Sequence, residues 1–259
     1  MERRSILVLA ITMLGTNLFV GSHEALAVTY NDGGVHEINF YINDVVVISD
    51  SPSGDATKIN LVSDGVIENF VWVCGNSQLN ISGGKIGEYL WSLDGSQVSI
   101  SSGSIGTYFT VKGNNKVTIS GGSIGTWLNP EDNSEVTILG GTIGDHIATQ
   151  DSSRVTILDV WIGGDLIALE NSQISLSGGS IGHWLQAWGN GVLAIYGSDF
   201  NYELGPITVS SGRLTGALAN GDPINNNFYI YDKASIVLVP EPATILLLGF
   251  GAVLLRRRR

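Results

Sequence analysis

Residues 117–127 read VTISGGSIGTW: a β-branched alternation, a pair of glycines, then Ile-Gly and an aromatic residue. The stretch nineteen residues earlier reads VSISSGSIGTY (98–108), and the one nineteen residues later reads VTILGGTIGDH (136–146). Self-similarity at a fixed period marks a repeat architecture. The glycines after isoleucine supply the ruler: Gly87, Gly106, Gly125, Gly144, Gly163 and Gly182 are each nineteen residues apart. Seven rungs can be laid out on it, over residues 60–192.

Four columns of this layout are apolar. The first holds Leu79, Val98, Val117, Val136, Val155 and Ile174, with Asn60 as the exception. The third runs from Val62 and Ile81 to Leu176, the eighth is isoleucine in all seven rungs from Ile67 to Ile181, and the twelfth runs from Val71 to Leu185. Between them lie Gly-Gly pairs and closing turns such as Asp132-Asn133-Ser134, whose Gly and Asn tolerate the positive φ of tight bends. No 3.6-residue period appears, so each rung is a set of short strands joined by bends. Nineteen residues cannot bury their own apolar side, but stacked rungs bury it together. The expected fold is all-β: a single-stranded parallel β-helix (β-solenoid) with 19-residue rungs about 4.8 Å apart. It is expected to be right-handed, as parallel crossovers are. Residues 28–59 are expected to form an N-terminal cap or irregular first rungs. Residues 60–211 are the repeats, the last one degenerate, and residues 212–239 a C-terminal β cap.

Composition agrees with this class. The chain has 259 residues, 34 of them glycine, with 43% apolar and 14% charged residues. Residues 28–239 carry 21 acidic against 7 basic side chains, a net −14 with no basic patch, which argues against nucleic acid. The single cysteine, Cys74, cannot form an internal disulfide. No His, Cys or carboxylate spacing fits a zinc site, and the sequence implies neither a metal nor a cofactor.

The two ends read as addresses. Residues 1–27 have the form of a signal peptide: Arg3-Arg4, a mostly apolar run over 6–20, then Ala25-Leu26-Ala27 as a cleavage site. Residues 240–259 hold Pro240-Glu241-Pro242, an apolar run over 243–255 that is short for a bilayer span, and four arginines, Arg256 to Arg259, that favour the cytoplasmic side. In its three parts and their order this tail resembles the PEP-CTERM sorting signal of Gram-negative bacteria. The resemblance implies an exported protein, recognition by an exosortase, and cleavage near Pro240-Glu241-Pro242. It also implies transient membrane contact through the tail, residence at the cell surface or extracellular matrix, and association with exopolysaccharide. The form of residues 212–239 is similar to the tails of other β-strand-repeat proteins that carry this signal.

Outward positions then decide function. The eleventh column reads Phe70, Tyr89, Tyr108, Trp127, His146, Asp165 and Trp184, with Trp72 and Trp91 two positions on. It adjoins an inward column, so alternation points it outward. An aromatic strip with a polar notch suits a glycan: rings stack on sugar faces, and His and Asp bond hydroxyls. The plainer alternative is that rings on successive rungs hold the sheet together. An enzymatic alternative, a β-helix polysaccharide lyase or glycoside hydrolase, requires Asp145, His146, Asp165 and His183 to converge in a groove, two carboxylates acting as acid and base. The rung over 155–173, where Asp159-Val160-Trp161 replaces the Gly-Gly-Ser corner, breaks the repeat, as functional or strained places do. A hydroxyl column, Ser99, Thr118, Thr137, Thr156 and Ser175 below Asn80, admits a third reading, an ice-binding-like surface. The expectation is a non-enzymatic surface β-solenoid, structural or glycan-contacting.

Overall fold

The computed structural model describes residues 27–241. Apart from Ala27, the expected signal peptide lies outside the described residues, as does the tail beyond Glu241. The described residues form strands, turns and bends without a helix, stacked as a β-solenoid of about nine turns with rungs of about 19 residues.

Each regular turn contributes to three narrow parallel sheets. In the first, Val98, Val117, Val136, Val155, Ile174 and Leu193 follow one another in register. In the second, Ile86, Ile105, Ile124, Ile143, Ile162 and Ile181 do the same. In the third, Leu90, Phe109, Leu128, Ile147, Leu166 and Leu185 are aligned. All these side chains are buried in one continuous core. The isoleucines and valines therefore stack over one another in a dry interior, where β-branched side chains suit a pleated wall.

The glycine of each Ile-Gly pair has a steric reason. A Cβ on Gly125 would collide with Gly106 O of the preceding rung, and one on Gly144 with Gly125 O. The backbone carbonyl of each turn thus occupies the space a side chain would need. At the next corner the requirement is conformational, and Gly122 takes φ 81°. The closing turn uses acidic residues in the same left-handed region: Asp132 (φ 56°), Asp151 (φ 55°) and Glu170 (φ 57°). The carboxylates of Asp151 and Glu170 return a bond that offsets part of the cost of that conformation. Asp151 Oδ2 accepts Asp132 N–H at 3.0 Å, and Glu170 Oε2 accepts Asp151 N–H at 3.2 Å.

A buried polar column accompanies the apolar ones. Ser77, Ser96, Asn115, Ser134, Ser153 and Ser172 are each fully buried at the same turn of successive rungs. Most reach a local partner: Ser153 Oγ donates to Gln150 O at 2.7 Å, Asn115 Nδ2 to Lys112 O at 3.0 Å, and Ser96 Oγ pairs with Ser92 Oγ at 2.7 Å. Residues that read as turn signals also line the interior.

Two register details differ from the expected layout. At the start, Ile59 aligns with Leu79, and Leu61 with Ile81, so Asn60 and Val62 are not core positions. An extra residue at the corner containing Gly65 displaces that rung by one, and Asn60 instead faces Asn80 on the outer surface, joined to it at 3.0 Å. In the sixth rung, Val160 replaces the corner glycine and turns its side chain into the core, 3% exposed. Leu139, Leu158 and Trp161 stand exposed beside it.

The ends are closed differently. The strands Val28–Tyr30, Val35–Ile38 and Tyr41–Ile42 pair in parallel with the next turn. The inward positions there hold rings: Tyr30 and His36 lie 5.0 Å apart, and His36 Nε2 is bonded to Asp32 at 2.8 Å. That bond is the main cause holding the Asp32 carboxyl below its ordinary pKa, while burial raises that of Tyr30. At the other end the period is interrupted. Trp184–Ala187 is followed in the stack by Pro223–Ile230, so Leu185 meets Phe228, and Val192–Ser198 is followed by Ser235–Pro240. The residues between form an excursion whose strands Gly205–Pro206 and Ser211–Leu218 pair antiparallel across this last rung. Covering a sheet edge in this way prevents it from templating further strands.

Candidate functional site

The eleventh column lies on the outer surface of the third sheet, as alternation requires. Tyr108 faces Tyr89 on one side and Trp127 on the other, and Trp127 faces His146. Its upper part is a stack of rings. Phe70 and Tyr89 are 4.9 Å apart and 6° from parallel, and Tyr89 and Tyr108 are 5.2 Å apart at 0°. Tyr108 and Trp127 follow at 6.2 Å and 55°, and Trp127 meets the His146 ring edge-on at 4.9 Å and 88°. All four aromatic residues are half-buried. Trp72 and Trp91 lie two positions along, their rings 6.5 Å from each other. The broad faces of Tyr89 are turned toward its ring neighbours, so this part of the column presents mainly ring edges to a ligand.

Below Trp127 the bonding changes. His146 Nδ1 accepts the backbone N–H of Asp165 at 2.8 Å. The proton therefore sits on Nε2 in the neutral ring, and Nε2 faces Asp145 Oδ1 at 3.2 Å. Asp165 repeats the device one rung on: Oδ1 accepts Trp184 N–H at 2.9 Å, and Oδ2 accepts Gln186 Nε2–H at 2.9 Å. Trp188 Nε1–H donates to Gln186 Oε1 at 3.1 Å and extends the chain. His183 Nδ1 stands 4.0 Å from Asp165 Oδ1. Asp145, His146, Asp165 and His183 thus come together at one place. Yet Nδ1 of His146 and both oxygens of Asp165 accept hydrogen bonds within the protein. Two clefts in the described residues open elsewhere, near Asn226 and near Pro240, and none of the four residues lines either one.

Alternation along the strand Trp184–Ala187 adds a second aromatic group, which the sequence columns did not assemble. Trp184 and Tyr229 are 6.5 Å apart, Trp188 and Tyr231 are 4.8 Å apart at 24°, and Tyr229 and Tyr231 are 6.4 Å apart. These four rings are more exposed than those upstream, Tyr231 reaching 50%. Placing Trp184 and Trp188 on one face needs the period of two alone. Bringing Tyr229 and Tyr231 to them needs the excursion, which the spacing of the repeat hides.

The remaining candidates have plain settings. Ser99, Thr118, Thr137, Thr156 and Ser175 form an outward column in register. Cys74 is kept as a thiol: burial first, then the nearby carboxylates of Asp94 and Asp50, push its pKa up to about 11. Among the described residues, no group of three or more His, Cys, Asp or Glu side chains is placed to hold a metal ion.

No curated protein and no solved structure matches the chain. The family description "PEP-CTERM protein-sorting motif" matches residues 238–259. The first residues of the match, Leu238 to Pro240, belong to the last strand of the solenoid. The chain thus carries a PEP-CTERM sorting motif on a β-solenoid body, and that motif indicates an exported, exosortase-sorted protein anchored at the cell surface.

Proposed function

We propose that this is a non-enzymatic surface protein, a stiff β-solenoid that contributes structure to the exopolysaccharide layer of a Gram-negative cell and touches glycan through the outer face of its third sheet. The observation that carries the non-enzymatic part is the bonding of Asp165. Each of its two oxygens accepts a hydrogen bond that holds Trp184 or Gln186 in place, which supports a positioning role for this carboxylate. The same bonds orient the exposed end of the aromatic face. A glycan would meet Trp184, Trp188, Tyr229 and Tyr231 there more fully than the ring stack from Phe70 to Trp127. Amphipathic rings with polar neighbours supply both the apolar area and the hydrogen bonds that sugar recognition needs.

Retention on immobilised neutral and acidic polysaccharides tests the reading. The full-length chain is expected to be retained. Trp184→Ala with Tyr229→Ala is expected to weaken retention about tenfold, which corresponds to roughly 1.4 kcal/mol. Tyr108→Ala with Trp127→Ala is expected to weaken it less. Absence of retention on every polysaccharide removes glycan contact from the proposal. The convergence of Asp145, His146, Asp165 and His183 favours a second reading, a polysaccharide-degrading enzyme. Release of sugar products that Asp165→Asn abolishes would establish it in place of the first.

A further inference from the structure

The strand Ser211–Leu218 extends the exposed aromatic face by one more row. It pairs antiparallel with Pro223–Ile230, so Ser211 stands opposite Tyr229 and Arg213 opposite Asn227. Residues opposite each other in such a pair point to the same side of the sheet. Leu214, Asn226 and Phe228 point inward and are buried. That leaves Arg213, Asn227 and Tyr229 on the outside, with Asn227 in register with Trp184. Successive rows of one surface therefore hold Trp184 and Trp188, then Tyr229, then Arg213, with neighbouring rows about 4.8 Å apart.

The Arg213 side chain is oriented but not neutralised. Its Nε–H donates to Asn225 Oδ1 at 2.7 Å, across the pair from it. Its backbone is fixed on the other side by Asn201, which accepts Thr215 N–H at 2.8 Å and donates to Arg213 O at 2.9 Å. The N–H groups on its two terminal nitrogens make no bond within the described residues, and the side chain is exposed. Lys85, Lys112 and Lys116 each reach a glutamate, at 4.0, 3.5 and 3.7 Å. No carboxylate of the described residues comes as close to Arg213. Arg154, the other arginine of the body, gives its Nη1–H to Gln173 on the first sheet, away from the rings. A guanidinium whose Nε is already held presents its outer N–H groups as a fork, and that fork matches the two oxygens of a carboxylate.

We infer that Arg213 reads a carboxylate on the glycan, so that this face takes an acidic polysaccharide, one whose sugars carry carboxylate groups. The inference rests on the reading of the face as a glycan contact and adds the class of glycan. The rings supply an apolar bed for the sugar, and Arg213 supplies the charge that the bed lacks. The net −14 of residues 28–239 repels the same ligand at a distance. At 0.15 M salt the screening length is about 8 Å, so the distant repulsion is damped while a bond at contact persists. Selectivity for the acid is therefore expected at physiological salt, carried by one directed contact and not by a basic patch.

Polygalacturonate and its fully methyl-esterified form test the inference, since they share a sugar backbone and differ in charge. Retention of the full-length chain on each is measured at about 0.15 M salt. The acidic form is expected to hold it about fivefold better, as one charge-assisted bidentate contact would give. Arg213→Gln is expected to remove that preference, and Arg213→Lys, which keeps the charge and loses the fork, to restore only part of it. Urea unfolding midpoints of the variants report that they are folded. Equal or weaker retention of the full-length chain on the acidic form overturns the assignment of Arg213 and leaves glycan contact standing. So does a preference that survives Arg213→Gln, or a loss of equal proportion on both forms. Absence of retention on these and on every other polysaccharide overturns the inference together with the reading it rests on.

Discussion

From Phe70 to Trp127 the outer column is held by rings, and from His146 to Trp184 it is held by side-chain acceptors. The frame behind the two parts is the same: the isoleucines and glycines of the second sheet and the apolar ladder of the third run past both. In the upper part the backbone satisfies itself, as where Trp127 N–H donates to Thr107 O. In the lower part the N–H of Asp165 and of Trp184 is taken by the side chain of the preceding rung. A position in a repeat can therefore serve cohesion through apolar contact or through a directed bond. The second places a specific neighbour, here Trp184, where the first supplies only area.

The largest effect is expected from the frame, and should be equal in the two parts. Ile105→Ala lies in the rung of Tyr108 and Ile162→Ala in the rung of Asp165, and both residues are almost fully buried. Each is expected to cost about 2–5 kcal/mol, read from urea unfolding midpoints of the full-length chain. A large difference between them would mean that the outer column, and not the core, sets local stability.

This common frame is also what the sequence displays most openly. An isoleucine every nineteen residues leaves little choice but a stack, because each rung has too little apolar surface to fold alone. What spacing conceals has identifiable causes. A single inserted residue near Gly65 moved the first core positions from Asn60 and Val62 to Ile59 and Leu61, with no change in the Ile-Gly ruler above it. The serines of the closing turn carry the chemistry of a bend and the location of a core, and composition reveals the first alone. The excursion separates Trp184 from its stacking partner Asn227, so the period stops where the aromatic group at that end is built. The columns did place Asp145, His146, Asp165 and His183 as neighbours. They could not show that His146 Nδ1 and the Asp165 carboxylate face backbone N–H groups, since that depends on side-chain rotation.

The intermediate effect belongs to the acceptor part. Asp165→Ala removes the acceptor of both Trp184 N–H and Gln186 Nε2–H, at a net cost of about 0.5–1.5 kcal/mol for each bond. Asp165→Asn retains one acceptor oxygen and is expected to recover part of it. Amide hydrogen exchange sharpens the comparison: Trp184 N–H is expected to lose protection in Asp165→Ala, while Trp127 N–H, bonded to backbone, keeps it. Equal protection at Trp184 in the two variants would show that its backbone finds another acceptor, and the distinction between the two parts would then be one of appearance.

The smallest effect is expected from the rings. Tyr89→Leu keeps an apolar side chain of moderate size over the sheet and removes the stacked contacts with Phe70 and Tyr108. Cross-strand aromatic pairs contribute roughly 0.2–1 kcal/mol each, and leucine retains part of the area, so the net loss is expected to be about 0.5–1 kcal/mol. It should also stay local, because no N–H depends on the Tyr89 side chain in the way Trp184 N–H depends on Asp165. A loss from Tyr89→Leu as large as that from Asp165→Ala would mean that the ring stack is a structural spine in its own right. The face from Phe70 to Trp127 would then be better understood as a device for stiffness, and glycan contact would rest on Trp184, Trp188, Tyr229 and Tyr231 alone.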